Sequence, residues 1–558
     1  MITNQVNETL LQILKDNKNS DCGQKWHFES LKTVEAFQDT VPLTGYDDYA
    51  PLIELTTRIG EKDIFTELPL AGYALTSGTT GVPKLIPCTQ KHLAQYVEAF
   101  DRMSIKGSTL LLFESMPRTF KYADQAELDA ISGMVLAQGQ KKISDVSYKR
   151  IIAKGTYTSP IELLITKEVM DSVHLRLLFA LADKKLEQII APFTWGVVEL
   201  FEYLEYHWEA LVEEIATGKI SDNVKVSPEL AAKIEAKFTK SPKRAEELKV
   251  IFEEGFEQPI ARKIWPKLTR VIAAGTGSFA IYTEKLSRYV GDVDHINGLY
   301  AASEALLGVC NDAGSDVYTL DEKNVFCEFI PVEGDNSGRA LLAGELEAGK
   351  EYNVIITNNS GFYRYRLGDV IRVLDVVNGK VRFTYEYRAD QTHSFVNEKI
   401  NEKEILTVVQ KMEDMYGLVI NDYCYWADYE NDSYTIFMES AHYGNMEQKI
   451  ANIDINEIEK YCDEQLAKIN TKYGQLRKEG KLSVCKVMFL QPQTHLLYRD
   501  VLRYRRKTAQ DQIKPVRFLD NPVKEKFFFS MIDRGLHTTE QVKYYTDRFS
   551  KSKKERTL

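Results

Sequence analysis

Residues 388–403 carry few apolar side chains and separate two differently patterned parts of a 558-residue chain. Before this stretch, short apolar runs alternate with segments of helical periodicity, which indicates an α/β body. After it, the pattern indicates two strands, a helix and a further strand, a small α+β domain of about 150 residues. So long a chain exceeds one ordinary hydrophobic core. We predict a large N-terminal domain at residues 1–390, a hinge at 391–403 and a small C-terminal domain at 404–558.

Local signals support this division. Apolar residues recur at helical spacing from 200 to 215 and predict a helix that ends before Gly218. Asn378-Gly379 stands between two strand-like runs and predicts a two-residue hairpin turn. Asn401, followed three residues later by Glu404, predicts a capped helix start just after the polar stretch. A single long helix is predicted at about 455–478.

Composition excludes several classes of protein. The net charge of −10 argues against general nucleic-acid binding. The most apolar stretch, residues 189–200, is far shorter than the roughly 20 residues of a membrane span. Seven scattered cysteines with no Cys-x-x-Cys pair indicate neither a disulfide framework nor a zinc site. Because the first residues also lack a signal-peptide pattern, we expect a cytoplasmic protein.

Residues 76–87 read Thr-Ser-Gly-Thr-Thr-Gly-Val-Pro-Lys-Leu-Ile-Pro. Glycines let a backbone approach a charged ligand, while hydroxyls and exposed amides can donate to phosphate oxygens. Pro83 and Leu85 flank the lysine, so this is not a Walker loop, which needs Gly before the Lys and Ser or Thr after it. The pattern predicts a phosphate-binding loop whose members are Thr76, Ser77, Gly78, Thr79, Thr80, Gly81 and Lys84.

Two further motifs lie downstream, Tyr300-Ala301-Ala302-Ser303-Glu304 and Tyr365-Arg366-Leu367-Gly368-Asp369. Either one alone has little specificity. In this order after the Thr/Ser/Gly loop, they resemble the three nucleotide-binding motifs of the acyl-adenylate-forming superfamily. The resemblance is closest to the Gretchen Hagen family of auxin-responsive acyl acid amido synthetases and their microbial relatives. It extends over nearly the whole chain, including residues 397–404 and the C-terminal lysine region at 510–517.

This resemblance implies an adenylation domain followed by a smaller lid domain, with ATP and Mg²⁺ as cofactors. The 76–84 loop would surround the β and γ phosphates, and Ser303 or its neighbouring amides would hold the α-phosphate. Glu304 would bind Mg²⁺, since a carboxylate oxygen suits this hard ion. Asp369 would accept hydrogen bonds from the ribose hydroxyls. The remaining nucleotide contacts would come from Gly277, Ser278, Tyr300, Ala301, Ala302, Tyr365 and Arg388, and the catalytic lysines would be Lys399 and Lys514.

Three functions stay open. In the first, a small carboxylic acid and ATP form an acyl-adenylate, which an amine such as an amino acid then attacks. The second is an acyl-CoA ligase with the same first step and a thiol acceptor, and the third is a non-catalytic nucleotide sensor or scaffold. The sequence of residues 397–404 favours the amide-forming function over the acyl-CoA ligase, and it does so by resemblance alone. Apolar residues around 170–200 and at 305–307 are the predicted acid-pocket walls and favour an aromatic or aliphatic acid.

Overall fold

The structure is a computed structural model that describes residues 2–59, 63–76, 84–103, 106–112, 117–122, 126–131, 134–136, 156–166, 168, 170–333, 339–377, 379–441, 450, 452–506 and 513–555. The chain divides into two compact units. Unit one comprises residues 1–386, and unit two comprises residues 387–506 and 513–558.

Unit one contains the strands β1 (Leu70–Leu75), β2 (Leu85–Thr89), β3 (Ser108–Leu111), β4 (Pro117–Tyr122), β5 (Ala126–Ile131), β6 (Met134–Leu136), β7 (Thr156–Tyr157), β8 (Gln188–Phe193), β9 (Arg270–Ala274), β10 (Asp294–Ile296), β11 (Gly298–Ala301), β12 (Leu306–Cys310), β13 (Val317–Leu320), β14 (Val325–Pro331), β15 (Glu351–Asn358), β16 (Tyr365–Val377) and β17 (Lys380–Arg388, whose end enters unit two). Its helices are α1 (Ile2–Asp16), α2 (Asp21–Lys25), α3 (Val34–Thr40), α4 (Tyr46–Glu54), α5 (Gln90–Met103), α6 (Ile161–Ile165), α7 (Ser172–Ala182), α8 (Thr194–Thr217), α9 (Pro228–Glu235), α10 (Pro242–Glu253), α11 (Ala261–Ile264) and α12 (Ala280–Val290).

These strands form three sheets. The first has the order β2-β1-β6-β5-β4 and is antiparallel. The second, β10-β9-β8-β3-β7, is parallel, and its central strands are apolar and buried, as in sheets covered on both faces. The third, β11-β12-β13-β17-β16-β15-β14, encloses an apolar core that includes Tyr49, Phe362 and Phe383.

Two predictions in unit one are confirmed. Helix α8 carries fully buried Leu200, Leu204 and Leu211 and ends at Gly218, whose φ of 77° is the left-handed conformation that glycine adopts easily. Strands β16 and β17 are neighbours joined at Asn378-Gly379, where Gly379 has a φ of 78°. Asn378 itself lies outside the described residues.

Unit two contains β18 (Ile420–Asp428), β19 (Ser433–Ser440) and β20 (Lys486–Leu490), with α13 (Glu402–Tyr416), α14 (Ile455–Ile469), α15 (Thr471–Lys478), α16 (Thr494–Arg506), α17 (Pro522–Ser530) and α18 (Thr539–Glu555). Strands β18 and β19 pair antiparallel, and β20 joins β19 in parallel. The capping prediction is confirmed, because Asn401 and Glu404 each accept the other's backbone N–H.

The predicted single helix at 455–478 is wrong. It breaks at Asn470, whose side-chain oxygen accepts the N–H of Tyr473 and starts α15 as a new helix. The Asn470 amide also donates to the carbonyl of Glu398, 2.7 Å away. A side chain that bonds to nearby backbone groups competes with helix continuation, and here tertiary contacts favour the break.

The described residues include no helix long and apolar enough to cross a bilayer. All seven cysteines are free thiols with buried side chains.

Candidate nucleotide-binding site

The two ends of the predicted phosphate loop are joined to each other. The Thr76 N–H donates to the Lys84 carbonyl at 3.0 Å, and the Lys84 N–H donates to Thr76 Oγ1 at 2.9 Å. The Lys84 ammonium lies 5.0 Å from the centre of the Tyr46 ring, and the Tyr46 hydroxyl accepts the N–H of Leu85. The first residue of α4 therefore fixes the loop exit. The other predicted loop members, Ser77, Gly78, Thr79, Thr80 and Gly81, lie outside the described residues.

The second and third motifs meet in the fold. Tyr300 is in β11 and donates its hydroxyl to Asp369 Oδ2 in β16, at 2.6 Å. Both side chains are buried, 8% and 6% exposed. Gly368, just before the aspartate, has a φ of 85°, which a residue with a Cβ rarely adopts. A glycine at this position lets the strand present Asp369 to the tyrosine.

The loop from Gly275 to Ser278 follows β9 and borders the same aromatic cluster. Gly277 has a φ of 57°, and a Cβ there would lie 2.5 Å from the Tyr385 ring. The Tyr385 ring centre is 5.9 Å from that of Tyr300. The predicted adenine-side residues Gly277 and Tyr300 thus both lie next to Tyr385. Tyr385 was not predicted as a site residue, and its signal in the sequence is an aromatic residue near the end of a predicted strand.

The segment that carries Ala302, Ser303 and Glu304 is held through its backbone. The Ala302 carbonyl accepts the Tyr96 hydroxyl at 2.6 Å, and the Ser303 carbonyl contacts His92 Nε2 at 3.1 Å. The Glu304 carbonyl accepts the Asn358 side-chain amide at 2.7 Å. Burial lowers the pKa of His92 to about 4. Burial raises the pKa of Tyr96 well above its ordinary value, and the nearby Cys88 and Glu304 add to that rise.

Other predicted residues lie elsewhere. Tyr365 is 4% exposed and stacks on Phe362 in the hydrophobic core, with ring centres 4.5 Å apart. Ala301 is exposed, and Ser278 is partly buried. Nothing in this geometry tests the predicted nucleotide contacts, which stay predictions.

The lysines and arginine proposed from the C-terminal part belong to unit two. Arg388 lies at the end of β17 and is partly exposed. Lys399 is exposed with a left-handed φ of 52°, in a loop closed by two 2.7 Å hydrogen bonds between His393 and Ile400. Lys514 is also exposed, while the following Pro515 is buried.

A pocket with about 430 Å³ of empty space, part of it open to solvent, lies where β3 and β8 end. In parallel sheets, ligands bind beyond the carboxyl ends of the strands. Its wall is continuous with the nucleotide loops, because Phe193 of the pocket stacks on Phe279 at 4.1 Å, next to Ser278. The lining residues are Leu112, Ser172, Val173, Arg176, Ala191, Pro192, Phe193, Trp195, Gly196 and Glu199.

The pocket lies in the predicted 170–200 region, but the predicted second wall is wrong. Ala305 and Leu307 are 2% and 1% exposed and pack in the core beneath the third sheet. Leu307 points inward because β12 buries most of its side chains, and Ala305 lies just before this strand. Arg176 is buried in the pocket wall, where its Nε donates to Ser172 Oγ at 2.9 Å and its guanidinium donates to the Leu111 carbonyl.

Across the described residues, no group of three or more His, Cys, Asp or Glu side chains is placed to hold a metal ion. Magnesium does not require such a group, because it keeps several waters and takes ligands from substrate phosphates. The single carboxylate of Glu304, partly exposed at the hairpin between β11 and β12, is a donor that fits this mode of binding.

The stem of the predicted phosphate loop, the Tyr300–Asp369 contact and the neighbouring pocket all lie in unit one. Residues 3–295 match the GH3 family N-terminal domain, residues 318–388 its central domain and residues 403–523 its C-terminal domain. The chain belongs to the GH3 family, as the sequence motifs predicted.

Relatives with curated names are similar over most of their length. Indole-3-acetic acid-amido synthetase GH3.2 of Arabidopsis thaliana is 24% identical, over 85% of this chain and 90% of the relative. The 4-substituted benzoates-glutamate ligase GH3.12 of the same plant is 23% identical over 80% of each. Jasmonoyl--L-amino acid synthetase JAR6 of Nicotiana attenuata is 25% identical over 72% of each. The predicted class, a ligase that forms an amide bond, is confirmed by these relatives.

Solved structures confirm the predicted fold. The GH3.15 acyl acid amido synthetase in complex with 2,4-DB matches with a TM-score of 0.79 at 22% identity, covering 95% of this chain and 94% of that one. A 2-hydroxyisobutyryl-CoA ligase in the postadenylation state matches with a TM-score of 0.52 at 12% identity, covering 93% and 89%. The chain therefore has the adenylate-forming fold.

Proposed function

We propose that this protein activates a small carboxylic acid with ATP, releases pyrophosphate, and transfers the acyl group from acyl-AMP to the amine of an amino acid. One observation carries the proposal. The 430 Å³ pocket shares a wall with the loop that borders the Tyr300–Asp369 contact, through the stacked pair Phe193 and Phe279. An acid in the pocket would lie beside a nucleotide on the other side of that wall.

The first half-reaction brings two anions together, because a carboxylate must attack the α-phosphorus of ATP. The site must neutralise charge at the α-phosphate and stabilise the leaving pyrophosphate. We assign the pyrophosphate to the 76–84 loop, with Lys84 as its point charge, and the ribose hydroxyls to Asp369. Ser303 and the neighbouring amides would hold the α-phosphate.

Further cations would come from Arg388, Lys399 and Lys514, which the family resemblance implies. Glu304 would hold Mg²⁺ together with phosphate oxygens. When bound, this ion neutralises charge on the phosphates.

The pocket supports an aromatic or aliphatic acid. Its lining is apolar at Leu112, Val173, Phe193 and Trp195. Polar groups come from Ser172 and Arg176 of α7 and from Glu199 of α8. A mainly apolar pocket with few polar groups is the usual form of a site for a small organic ligand. Neither the acid nor the amino acid is assigned further.

An acyl-CoA ligase is the second candidate, because a CoA ligase shares the fold. The amide-forming relatives favour the first. A cytoplasmic location is supported by the seven buried, unbridged cysteines, which suit a reducing compartment.

The test is ATP–pyrophosphate exchange with a panel of aromatic and aliphatic acids. Mass spectrometry then follows the products formed with an amino-acid mixture or with coenzyme A. We expect acid-dependent exchange and an acyl-amino acid product. An acyl-CoA product would transfer the proposal to the second candidate. Failure of every acid on the panel to promote exchange would favour a nucleotide sensor.

A further inference from the structure

The four-residue connection between β11 and β12 has its backbone tied down at consecutive positions. It runs from Ala302 to Ala305 and is closed by a hydrogen bond from the Ala302 N–H to the Ala305 carbonyl, at 2.9 Å. The carbonyls of Ala302, Ser303 and Glu304 accept from Tyr96, His92 and Asn358 at 2.6, 3.1 and 2.7 Å. We call these three donors the carbonyl clamp.

The clamp draws on two elements far away in sequence. His92 and Tyr96 are one helical turn apart on α5, directly after the strand that leaves the predicted phosphate loop. Asn358 ends β15, and its side-chain oxygen accepts the N–H groups of Ser360 and Phe362, which fixes the amide orientation. A short loop between strands would otherwise have few contacts to hold it in one conformation.

The donors suit this task chemically. A carbonyl oxygen only accepts, so His92 Nε2 carries the proton that reaches Ser303. His92 is 2% exposed, and burial keeps its ring neutral at physiological pH. Tyr96 keeps its hydroxyl proton, because burial disfavours the phenolate. Neither side chain brings a charge of its own to the loop.

Peptide planarity turns the clamp into an orienting device. In a trans peptide, the N–H of a residue points opposite to the carbonyl of the residue before it. Carbonyls 302 and 303, held toward α5, therefore direct the N–H groups of Ser303 and Glu304 to the opposite side. These are the amides assigned to the α-phosphate in the proposed function.

We propose that Tyr96 and His92 are positioning residues that preorganise the Ser303 and Glu304 amides for the α-phosphate, and that Asn358 fixes the peptide that follows them, an inference that rests on the proposed function. Their hydrogen bonds to this connection all go to backbone carbonyls, so their effect on the reaction would be indirect. Preorganised donors act most where charge develops, so their loss should reduce kcat more than ATP affinity.

The central variant is Tyr96→Phe, which removes one hydroxyl. Its matched control is Tyr363→Phe, because the Tyr363 hydroxyl also donates to a backbone carbonyl, that of Phe65, at 2.6 Å in the core. Asn358→Asp is a second variant that keeps the two accepted N–H bonds, replaces the donor to Glu304 by an acceptor oxygen and adds one negative charge. All are made in the full chain.

Two measurements decide the proposal. We expect Tyr96→Phe and Asn358→Asp to lower kcat of acid-dependent pyrophosphate exchange by about tenfold with little change in KM for ATP. Hydrogen–deuterium exchange should accelerate in the peptide that spans 300–306. Tyr363→Phe should lower the melting temperature about as much as the two clamp variants do. It should leave kcat of pyrophosphate exchange and hydrogen exchange at 300–306 unchanged.

The proposal is overturned if Tyr96→Phe and Asn358→Asp match Tyr363→Phe in both readouts. It is also overturned if KM for ATP rises while kcat stays constant. If none of the acids on the panel promotes pyrophosphate exchange by the wild-type protein, the amido synthetase proposal fails. Hydrogen exchange then decides the clamp alone, since unchanged exchange at 300–306 refutes it and faster exchange supports it.

Discussion

Glu304 is the residue on which the proposed chemistry depends most. Glu304→Gln keeps the side-chain shape and the backbone carbonyl that Asn358 contacts, but removes the charge that would hold Mg²⁺. Loss of a metal ligand removes several kcal/mol of transition-state stabilisation, so we expect pyrophosphate exchange to fall about a thousandfold. The check is exchange kinetics alongside thermal unfolding, which should be unchanged. Exchange near the wild-type rate would remove Glu304 from the metal site.

His92 predicts a pH dependence of stability. Its pKa falls from 6.5 in the unfolded chain to about 4 when buried, so the unfolded state binds more protons between these values. Its stabilising contribution is therefore complete above pH 6.5 and is lost as pH falls toward 4. His92→Gln retains a donor but does not titrate. We expect the loss of unfolding free energy between pH 7 and 5 to be about 2 kcal/mol smaller in this variant, measured by chemical unfolding. Equal losses would contradict it.

Lys84 was predictable from the residue pattern of its loop, and Tyr300 and Asp369 from their family motifs. The structure brings the last two into contact. His92, Tyr96 and Asn358 could not be found this way. Their partners lie 211, 206 and 54 positions away, and each contact is made to a backbone atom whose residue type carries no signal. Such residues become visible only once the strands are assembled.

At the scale of elements, helix α8 contains a glycine that local physics does not favour. Gly196 lies in the first turn, and glycine is among the residues with the lowest helix propensity. Its φ is not left-handed, and a Cβ added there would meet no atom within 4 Å. Gly196 also lines the 430 Å³ pocket. The missing side chain therefore leaves pocket volume open, and a larger residue would reduce it.

Gly196→Leu should narrow acid selectivity. The Cβ of the new side chain would meet no atom within 4 Å, and the rest of the leucine would occupy pocket space, so we expect kcat/KM to fall tenfold or more for bulky aromatic acids. Small acids such as acetate should be affected little. Gly344→Leu is the control, since its Cβ also meets no atom within 4 Å and the residue lies away from the pocket lining. Competition between a large and a small acid gives the ratio of their kcat/KM values directly. An unchanged ratio would show that Gly196 does not determine which acid sizes are accepted.

Elements defined by local rules were predicted well, and those decided by tertiary contacts were not. The capping box at Asn401 and the glycine end of α8 depend on neighbours within four residues. The break at Asn470 depends on a bond to Glu398, 72 positions earlier. No periodicity in the helix sequence records that contact.

At the scale of the whole molecule, the predicted hinge at 391–403 contains an ordered loop. The buried Glu398 carboxylate accepts the N–H groups of Phe395, Val396 and Asn397 and the hydroxyl of Tyr434. The loop has few apolar side chains, but hydrogen bonds to the Glu398 carboxylate hold it within unit two. Rotation of the C-terminal domain between half-reactions stays a prediction. Because of the bonds around Glu398, we expect the rotation to occur at residues that precede His393 in the sequence.

The C-terminal lysine region contains two cations with opposite environments. Arg517 is buried, pairs with Asp422, lies 3.5 Å from Glu402, and has its guanidinium 4.3 Å from the centre of the Tyr423 ring. Lys514 is exposed three residues earlier. Removing the arginine leaves buried carboxylates uncompensated, which typically costs 3–5 kcal/mol. Arg517 is therefore a structural residue of unit two, and Lys514 is the candidate for chemistry.

Lys514→Ala and Arg517→Ala should thus fail in different ways. We expect Lys514→Ala to keep the wild-type melting temperature but to slow acyl-adenylate formation by about tenfold or more, because a lysine that neutralises the α-phosphate acts while charge builds there. Amide formation from supplied acyl-adenylate should be less affected. Arg517→Ala should instead lower the melting temperature and reduce both half-reactions together. Rapid-quench kinetics with synthetic acyl-adenylate separates the two steps. Equal losses in both steps for Lys514→Ala would exclude this lysine from the adenylation step.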